Sequence, residues 1–344
     1  MSDIRTLTFD EIESLATKAL IASNVSAANA SAVARSIAAA ERDGQAIVGL
    51  SYLPTYCDHA ACGKVDGHAR PRLEHLAAAV LRIDAGTGFA HPAIALGVHP
   101  LAEAAWQCGI AALSVGNSYA CGSLGYFVEE LAGQGLIALM AANASPSIAP
   151  YGGKTPFFGT NPLAFGVPRE GGEPLVIDQS SSVVAKVAVI DAYNRGVALP
   201  DGWAIDANGV PTNDAAAAME GSLLPIGSYK GFGLALMVDI LAAGLTRSHW
   251  SFEASSFGDC EGGPPRTGQM IIALDPKLFA GADFSARLEE MLGAAQETPA
   301  VRLPGDRRLE ARKKHRDGIP VPAAVVETVE RYAREGPPKS RFKD

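Results

Sequence analysis

From about residue 76 onward, short β-branched runs alternate with stretches of helical period. That alternation leaves little room for anything but an α/β fold with a sheet at its centre. Residues 80–84 (Val-Leu-Arg-Ile-Asp) read as a strand, 92–107 as a helix and 111–115 as the next strand. A helix over about 123–134 leads to a strand at 136–140. Residues 164–167 and 175–178 read as strands flanking a hairpin at Arg169-Glu-Gly-Gly. Residues 230–245 read as a long, buried, Gly/Ala-rich helix, and 268–275 as a strand. The pattern predicts α/β architecture with some mixed sheet.

The N-terminal part is different. Residues 8–43 read as two helices, the first opened by a capping box at Thr8 and Glu11. Ile12, Leu15, Ala16 and Leu20, then Val33, Ile37 and Ala40, keep the helical period. The segment 62–74 reads as a junction, and the tail from about 308 as a polar helix returning to the N-terminal ones. The expected organisation is a helical domain from residues 1–74 joined by 308–344, and an α/β domain over 75–307.

With 344 residues and 48% apolar content the chain can bury a large core. Its net charge, 29 − 37 = −8, argues against a nucleic-acid footprint. The basic run from Arg307 to Arg316 reads as a solvated helix face. Five cysteines lack Cys-x-x-Cys spacing, so neither a disulfide framework nor a metal centre is expected. The opening Met-Ser-Asp-Ile-Arg-Thr has no signal-like apolar run, and no window of about 18 apolar residues follows. A cytoplasmic protein without membrane partners is the expectation.

Gly86-Thr-Gly88 follows a strand but lacks the third glycine and distal acid of a Rossmann fingerprint, so it reads as a turn. Asp178-Gln-Ser-Ser-Ser182 ends a buried strand; it suits either a helix N-cap or the oxygens of a ribose or diphosphate. Lys230 opens an apolar helix, where the dipole favours anions, and so calls for an anionic partner. Leu303-Pro-Gly-Asp-Arg-Arg308 is a turn carrying two guanidiniums, suited to phosphate or simply to the surface.

Gly159-Thr-Asn-Pro162, Pro174-Leu-Val-Ile-Asp178, Gly202-Trp-Ala-Ile-Asp206, Lys230-Gly, Ser251-Phe-Glu and Pro304-Gly-Asp-Arg307 carry a resemblance in their order and spacing. The chain resembles the malate/L-lactate dehydrogenase-like family, from about residue 5 to about 320. The resemblance implies a non-Rossmann NAD(P)-binding mixed sheet, a homodimer, and hydride transfer from NADPH or NADH to a small 2-oxo or 2-imino acid. It implies that the cofactor is lined by Ala120, Cys121, Gly122, Ser123 and Leu124, and by Asp178, Gln179, Ser180 and Lys186. Lys230, Gly305, Asp306 and Arg307 complete that set, and Thr160 would hold a substrate carboxylate.

The family's catalytic segment reads Asp-Gly-x-x-Ser-His-Gly-x-x-Arg-x-Pro. Here Asp43, Gly44, Gly49 and Pro54 match, but Ile47 and Val48 stand in place of Ser-His and Tyr52 in place of Arg. Tyr119-Ala120 follows Asn117-Ser118 where many members carry a His, and Ala188 stands where imine-reducing members carry an Asp. Asp43 reads as a structural cap and Asp206 as part of a turn before Gly209.

Ketone reduction needs a proton at oxygen, and a positioned acid contributes roughly 100- to 10,000-fold. An iminium nitrogen already carries its proton. The expected activity is therefore NAD(P)H-dependent reduction of a small, cyclic imine, with Tyr52 and Tyr119 as candidate proton donors and Val48 and Thr160 facing the substrate. The alternatives are a 2-hydroxy/2-oxo acid dehydrogenase using Tyr as its acid, and a catalytically silent NAD(P)H- or metabolite-binding homologue.

Overall fold

The computed structural model describes residues 3–338. Residues 339–344 of the expected C-terminal segment lie outside them. The chain opens with β1 (Ile4–Leu7), α1 (Phe9–Ala22) and α2 (Ala27–Arg42). The capping box is present: the Thr8 amide donates to Glu11 Oε2 at 2.8 Å and the Glu11 amide to Thr8 Oγ1 at 3.2 Å. Helix α1 buries Ile12, Ala16, Ala19 and Leu20 on one stripe against α2. A single 3₁₀ turn, Ala46–Val48, leads to α3 (Leu53–Ala61), with Pro54 in its first turn.

The central unit runs β2 (Arg72–Ala77), β3 (Val80–Asp84), α4 (Ala90–Cys108), β4 (Ile110–Ser118), α5 (Gly125–Gly133), β5 (Ile137–Ala142), β6 (Leu163–Val167) and β7 (Leu175–Gln179). Next come α6 (Lys186–Arg195), β8 (Ala204–Ile205), β9 (Pro211–Thr212), α7 (Ala215–Glu220) and β10 (Ser222–Leu223). Helix α8 (Tyr229–Asp239) passes into a π-helical turn, Ile240–Gly244. The chain ends with β11 (Thr267–Leu274), α9 (Pro276–Ala280), α10 (Phe284–Gln296), α11 (Asp306–Lys314), β12 (Ile319–Pro322) and α12 (Ala323–Glu335).

Seven strands form the main sheet in the order β2-β3-β4-β11-β5-β6-β7. Within it only β3 and β4 are parallel, joined by α4; every other neighbouring pair is antiparallel. One βαβ unit inside an antiparallel sheet is a mixed α/β fold, and it does not build a doubly wound dinucleotide site. Helices α4 and α5 cover the sheet and form a core around Ile94, Leu101, Leu113, Val128 and Ile271. A second core joins α1, α2 and α3 to β12 and α12, where Val326, Val329 and Tyr332 are buried. Each such side chain contributes about 1.5–3 kcal/mol. A third, smaller core lies around Ile148, Phe158, Leu199 and Leu223.

Residues 62–74 carry the fully buried Lys64 and lead into β2 at Arg72. Two expectations need correcting. The helix from 230 is not buried all round: Leu236, Met237, Ile240 and Leu245 are 41–58% exposed. The basic run is not a uniformly solvated face either. Arg312 holds Asp43 through two hydrogen bonds of 2.6 and 2.7 Å and Glu129 through two of 2.8 and 2.6 Å. Arg308 lies buried beside it, 3.1 Å from Glu129.

Removing the Arg312 guanidinium leaves two half-buried carboxylates facing each other. Arg312→Leu is expected to cost about 3 kcal/mol, the lower end for breaking a buried pair. In thermal unfolding of a 344-residue chain that is a fall of roughly 4 °C; an unchanged midpoint would show that the cluster adds nothing.

Candidate functional site

A cleft of about 810 Å³ opens where four separate parts of the chain meet. One wall is the end of α2 and the turn after it, including Asp43, Gly44, Ile47 and Val48. A second is the turn from Gly122 to Tyr126 at the start of α5, and a third is β7 from Val176 to Gln179. The loop from Arg302 to Arg308 closes the fourth side.

Local chemistry explains each wall. Asp178, at the end of β7, accepts from the Gly125 amide at 2.7 Å and the Ser123 hydroxyl at 3.0 Å, so it caps α5 with an anion. Gly305 has φ +90°, and a Cβ there would lie 3.2 Å from the Val176 carbonyl, so the 303–306 turn can press onto β7. The Asp306 carboxylate closes the same turn by accepting from the Leu303 amide at 2.9 Å. Glu41 pins the first wall by accepting from the Leu50 amide at 2.7 Å.

The cleft is cationic on its loop side, with Arg302, Arg307 and Arg308 in its lining. Arg308 Nε and Nη2 are buried without an aligned hydrogen-bond acceptor, despite the nearby Glu129. A buried guanidinium with free N–H groups beside a cleft fits an anionic oxygen such as a phosphate. On the α2 wall Ile47 and Val48 present hydrocarbon beside Ser36 and Gln45, and Asp43, also in the lining, is already engaged by Arg312.

The cleft gathers Val48, Gly122, Ser123, Asp178, Gln179, Gly305 and Arg307 of the residues expected from the sequence. Ser180 turns onto its own chain, bonding Ser182 at 2.8 and 3.1 Å. The Thr160 carbonyl accepts from the Ser181 amide at 2.8 Å, which puts Thr160 beside the serine run. Lys186 opens α6 at a separate cavity of about 190 Å³, and Lys230 lies on exposed α8; neither lines the large cleft. Ala188 sits in α6, and Leu124 is the N-cap of α5. Cys121 is buried with its thiol pushed up to about 12, which keeps it protonated. Asp43 caps α2, and Asp206 accepts from the Asn208 and Val210 amides, both at 2.9 Å, in its turn.

Behind the Gly122 wall lies an aromatic nest. Gly122 has φ +68°, and a Cβ there would meet the Tyr56 hydroxyl at 3.4 Å. Tyr52 packs edge-on against Tyr56 with centroids 4.9 Å apart, and Tyr56, Phe89 and Phe257 surround Tyr119. Tyr119 is fully buried, and its hydroxyl meets His59 Nδ1. Burial pushes the Tyr52 phenol up to about 12 and Tyr119 well above the usual phenol range. Burial, then the Lys64 ammonium, hold His59 down to about 4. At neutral pH both phenols carry their protons and the imidazole is neutral. His59 escaped the sequence reading, although Tyr52, Tyr56 and His59 share one face of α3 at helical spacing.

A family model described as malate/L-lactate dehydrogenase matches residues 7–330. The chain is 44% identical over 329 residues to the (2R)-3-sulfolactate dehydrogenase (NADP(+)) of Chromohalobacter salexigens, covering 96% of this chain and 98% of that protein. It is 38% identical to the Δ1-pyrroline-2-carboxylate/Δ1-piperideine-2-carboxylate reductase of Pseudomonas syringae pv. tomato, covering 96% of each. A crystal structure of Δ1-piperideine-2-carboxylate reductase from Pseudomonas syringae superimposes with a TM-score of 0.91 at 38% identity, covering 95% of this chain and 99% of that one.

Glu41 yields a prediction for the cleft wall. Burial raises its carboxyl from 4.5 to about 7, against the opposing pull of the Leu50 amide. The folded protein therefore keeps this proton where the unfolded chain has lost it. The stability this group contributes is fully present below about 4.5 and is lost as pH rises through about 7. Glu41→Gln keeps an acceptor for Leu50 and removes the titration. At pH 8 the variant should be more stable in urea unfolding, by about 1–3 kcal/mol. The gap should close by pH 4.5; a gap that does not change with pH refutes the assignment.

Proposed function

Since the chain belongs to the malate/L-lactate dehydrogenase family, and is thereby an NAD(P)-dependent oxidoreductase, we propose that it passes hydride to a small cyclic imine bearing a carboxylate. The observation that carries this is the hydrocarbon on the α2 wall of the cleft. Ile47 and Val48 have no proton to give to a carbonyl oxygen. An iminium needs hydride alone, so this wall costs it least. Relatives named as Δ1-pyrroline-2-carboxylate or Δ1-piperideine-2-carboxylate reductases, at 36–39% identity, support the reading.

NADPH or NADH fits the cleft on its own residues. Arg302, Arg307 and the unpaired N–H groups of Arg308 suit the cofactor's phosphates. Gly122, Ser123, Asp178 and Gln179 line the middle of the cleft and so orient the rest of the molecule. Bound there, the nicotinamide supplies the hydride. Val48 packs against the reacting end and excludes water, Thr160 holds the substrate carboxylate, and Tyr52 is the candidate proton donor.

The second reading is reduction of a 2-oxo acid, with Tyr52 as the acid. The 44% identity to a protein named as a sulfolactate dehydrogenase favours it. The two separate in one assay of NAD(P)H consumption with Δ1-pyrroline-2-carboxylate, Δ1-piperideine-2-carboxylate, pyruvate and oxaloacetate. Faster turnover of the imines is expected; turnover of the oxo acids alone eliminates the imine reading. In Tyr52→Phe, oxo-acid turnover should fall roughly 100-fold or more. Cofactor binding without turnover on the whole panel would leave a silent homologue.

We also assign the exposed stripe of α8 to a homodimer. Leu236, Met237 and Ile240 continue through Leu245 to Phe252, which stacks on Phe157 at 4.9 Å. A twofold axis would cover such a patch with its own copy. Ile240→Arg should yield monomers in light scattering; a variant that remains dimeric places the interface elsewhere.

A further inference from the structure

We propose a second binding site, for a small anion that also carries a hydroxyl group. It is a cavity of about 340 Å³ whose lining includes Asn117, Arg247, His249 and Arg266. The large cleft shares none of these residues, so the site stands apart from the reductase reading.

The cavity is built into the end of the main sheet. Thr267 of β11 faces Ser118 of β4 and Gln269 faces Val115, so Gly268 alone opposes Gly116 and Asn117. Such a bulge re-aims a side chain, and Asn117, at φ 54°, lines the cavity beside Asp84. The turn at Thr246 presses onto the bulge, since a Cβ on Gly116 would lie 2.2 Å from the Thr246 carbonyl oxygen. Ser248 Oγ accepts from the Asn117 amide at 3.1 Å and from Thr246 Oγ1 at 2.8 Å. The His249 amide donates to the Arg266 carbonyl at 2.9 Å. These bonds set the walls before any ligand arrives.

Three properties of the lining point to a ligand. Two buried polar atoms lack a partner. Asn117 Nδ2 donates to Asp84 Oδ1 at 3.1 Å, which orients the amide and leaves its Oδ1 an acceptor without a donor. His249 Nδ1 is likewise buried and unpartnered. Next, the Arg247 and Arg266 side chains make no hydrogen bond or ion pair among the described residues. Finally, both arginines hold left-handed backbone, at φ 59° and 50°. Of eight non-glycine residues at positive φ among the described ones, three line this one cavity. Backbone strain gathered in this way is typical of ligand clamps.

The charges decide what the ligand is. Both acids in the lining are already engaged. Glu74 accepts from Arg82 at 2.5 Å, and Asp84 accepts from the Gly86 amide at 2.9 Å and from Arg72 at 3.3 Å. Arg247 and Arg266 keep their charge uncompensated, and two planar forks suit the oxygens of a carboxylate or a phosphate. Asn117 Oδ1 asks the same molecule for a donor. An ammonium would meet two guanidiniums there, so a neutral hydroxyl fits. Hydroxycarboxylic acids and hydroxyalkyl phosphates share this chemistry.

Isothermal titration of the full-length protein tests the site and requires no turnover, so failure of the reductase reading leaves its outcome untouched. Saturable binding of L-malate marks a carboxylate ligand, and of α-glycerophosphate a phosphate one. Succinate and propyl phosphate, which lack the hydroxyl, should bind roughly ten-fold more weakly than their counterparts. Arg247→Asn and Arg266→Asn should each weaken binding by roughly 10- to 100-fold. Asparagine tolerates left-handed backbone better than arginine, so both variants should melt no lower than the wild type. Arg307→Gln, in the large cleft, should bind as the wild type does.

No saturable binding of either hydroxy acid overturns the proposal, as does equal affinity with and without the hydroxyl. Loss of binding in Arg307→Gln would put the ligand in the large cleft instead. A lower melting point in both arginine variants would make those side chains structural. Monomers in light scattering of the same variants, with no probe bound by the wild type, would assign the arginines to a subunit contact.

Discussion

One guanidinium fixes the geometry on which the cleft depends. Arg312 belongs to α11, Asp43 to the end of α2 and Glu129 to α5, and its four hydrogen bonds bring these three distant segments to one point. The planar fork matters, because each carboxylate is held at both oxygens and neither can swivel. The cleft lies against the same three segments: the 43–48 turn, the start of α5 and the loop that leads into α11. A lysine, offering a point charge, would hold the segments together without fixing their angles.

That junction also explains why Arg308 is exposed to a ligand in the chemical sense while buried in the spatial one. Arg312 saturates both carboxylates, so Arg308 approaches Glu129 at 3.1 Å yet keeps two N–H groups without aligned acceptors. With Arg42 also on Asp43, three guanidiniums share two carboxylates and leave hydrogen-bonding capacity over on Arg308, which lines the cleft. The pair thus has a structural member and a member available for binding.

The main architecture was legible in the sequence because its signals are local. Thr8 and Glu11 marked the first helix, alternation marked β3 to β7, and Asp178 stood out at a strand end. What escaped depends on partners far along the chain. Strand β12 pairs with β1, more than 300 positions away, and neither four-residue strand shows a pattern of its own. The basic run looked solvated because the carboxylates that bury Arg308 and Arg312 lie at positions 43 and 129. His59 was invisible for a related reason. Its ring meets the hydroxyl of Tyr119, 60 residues later in the chain. The missing family acid was legible in the sequence as Ile47 and Val48.

Taking the proton source off the cleft wall has a consequence for substrate choice. A histidine in the wall would meet any substrate directly and would carry charge near neutral pH. Ile47 and Val48 offer hydrocarbon in its place. A carbonyl asks such a wall for a proton that neither side chain holds, whereas an iminium asks nothing of it. On the proposed reading, the change of wall from His to Val ranks imines above carbonyls by the protons they need.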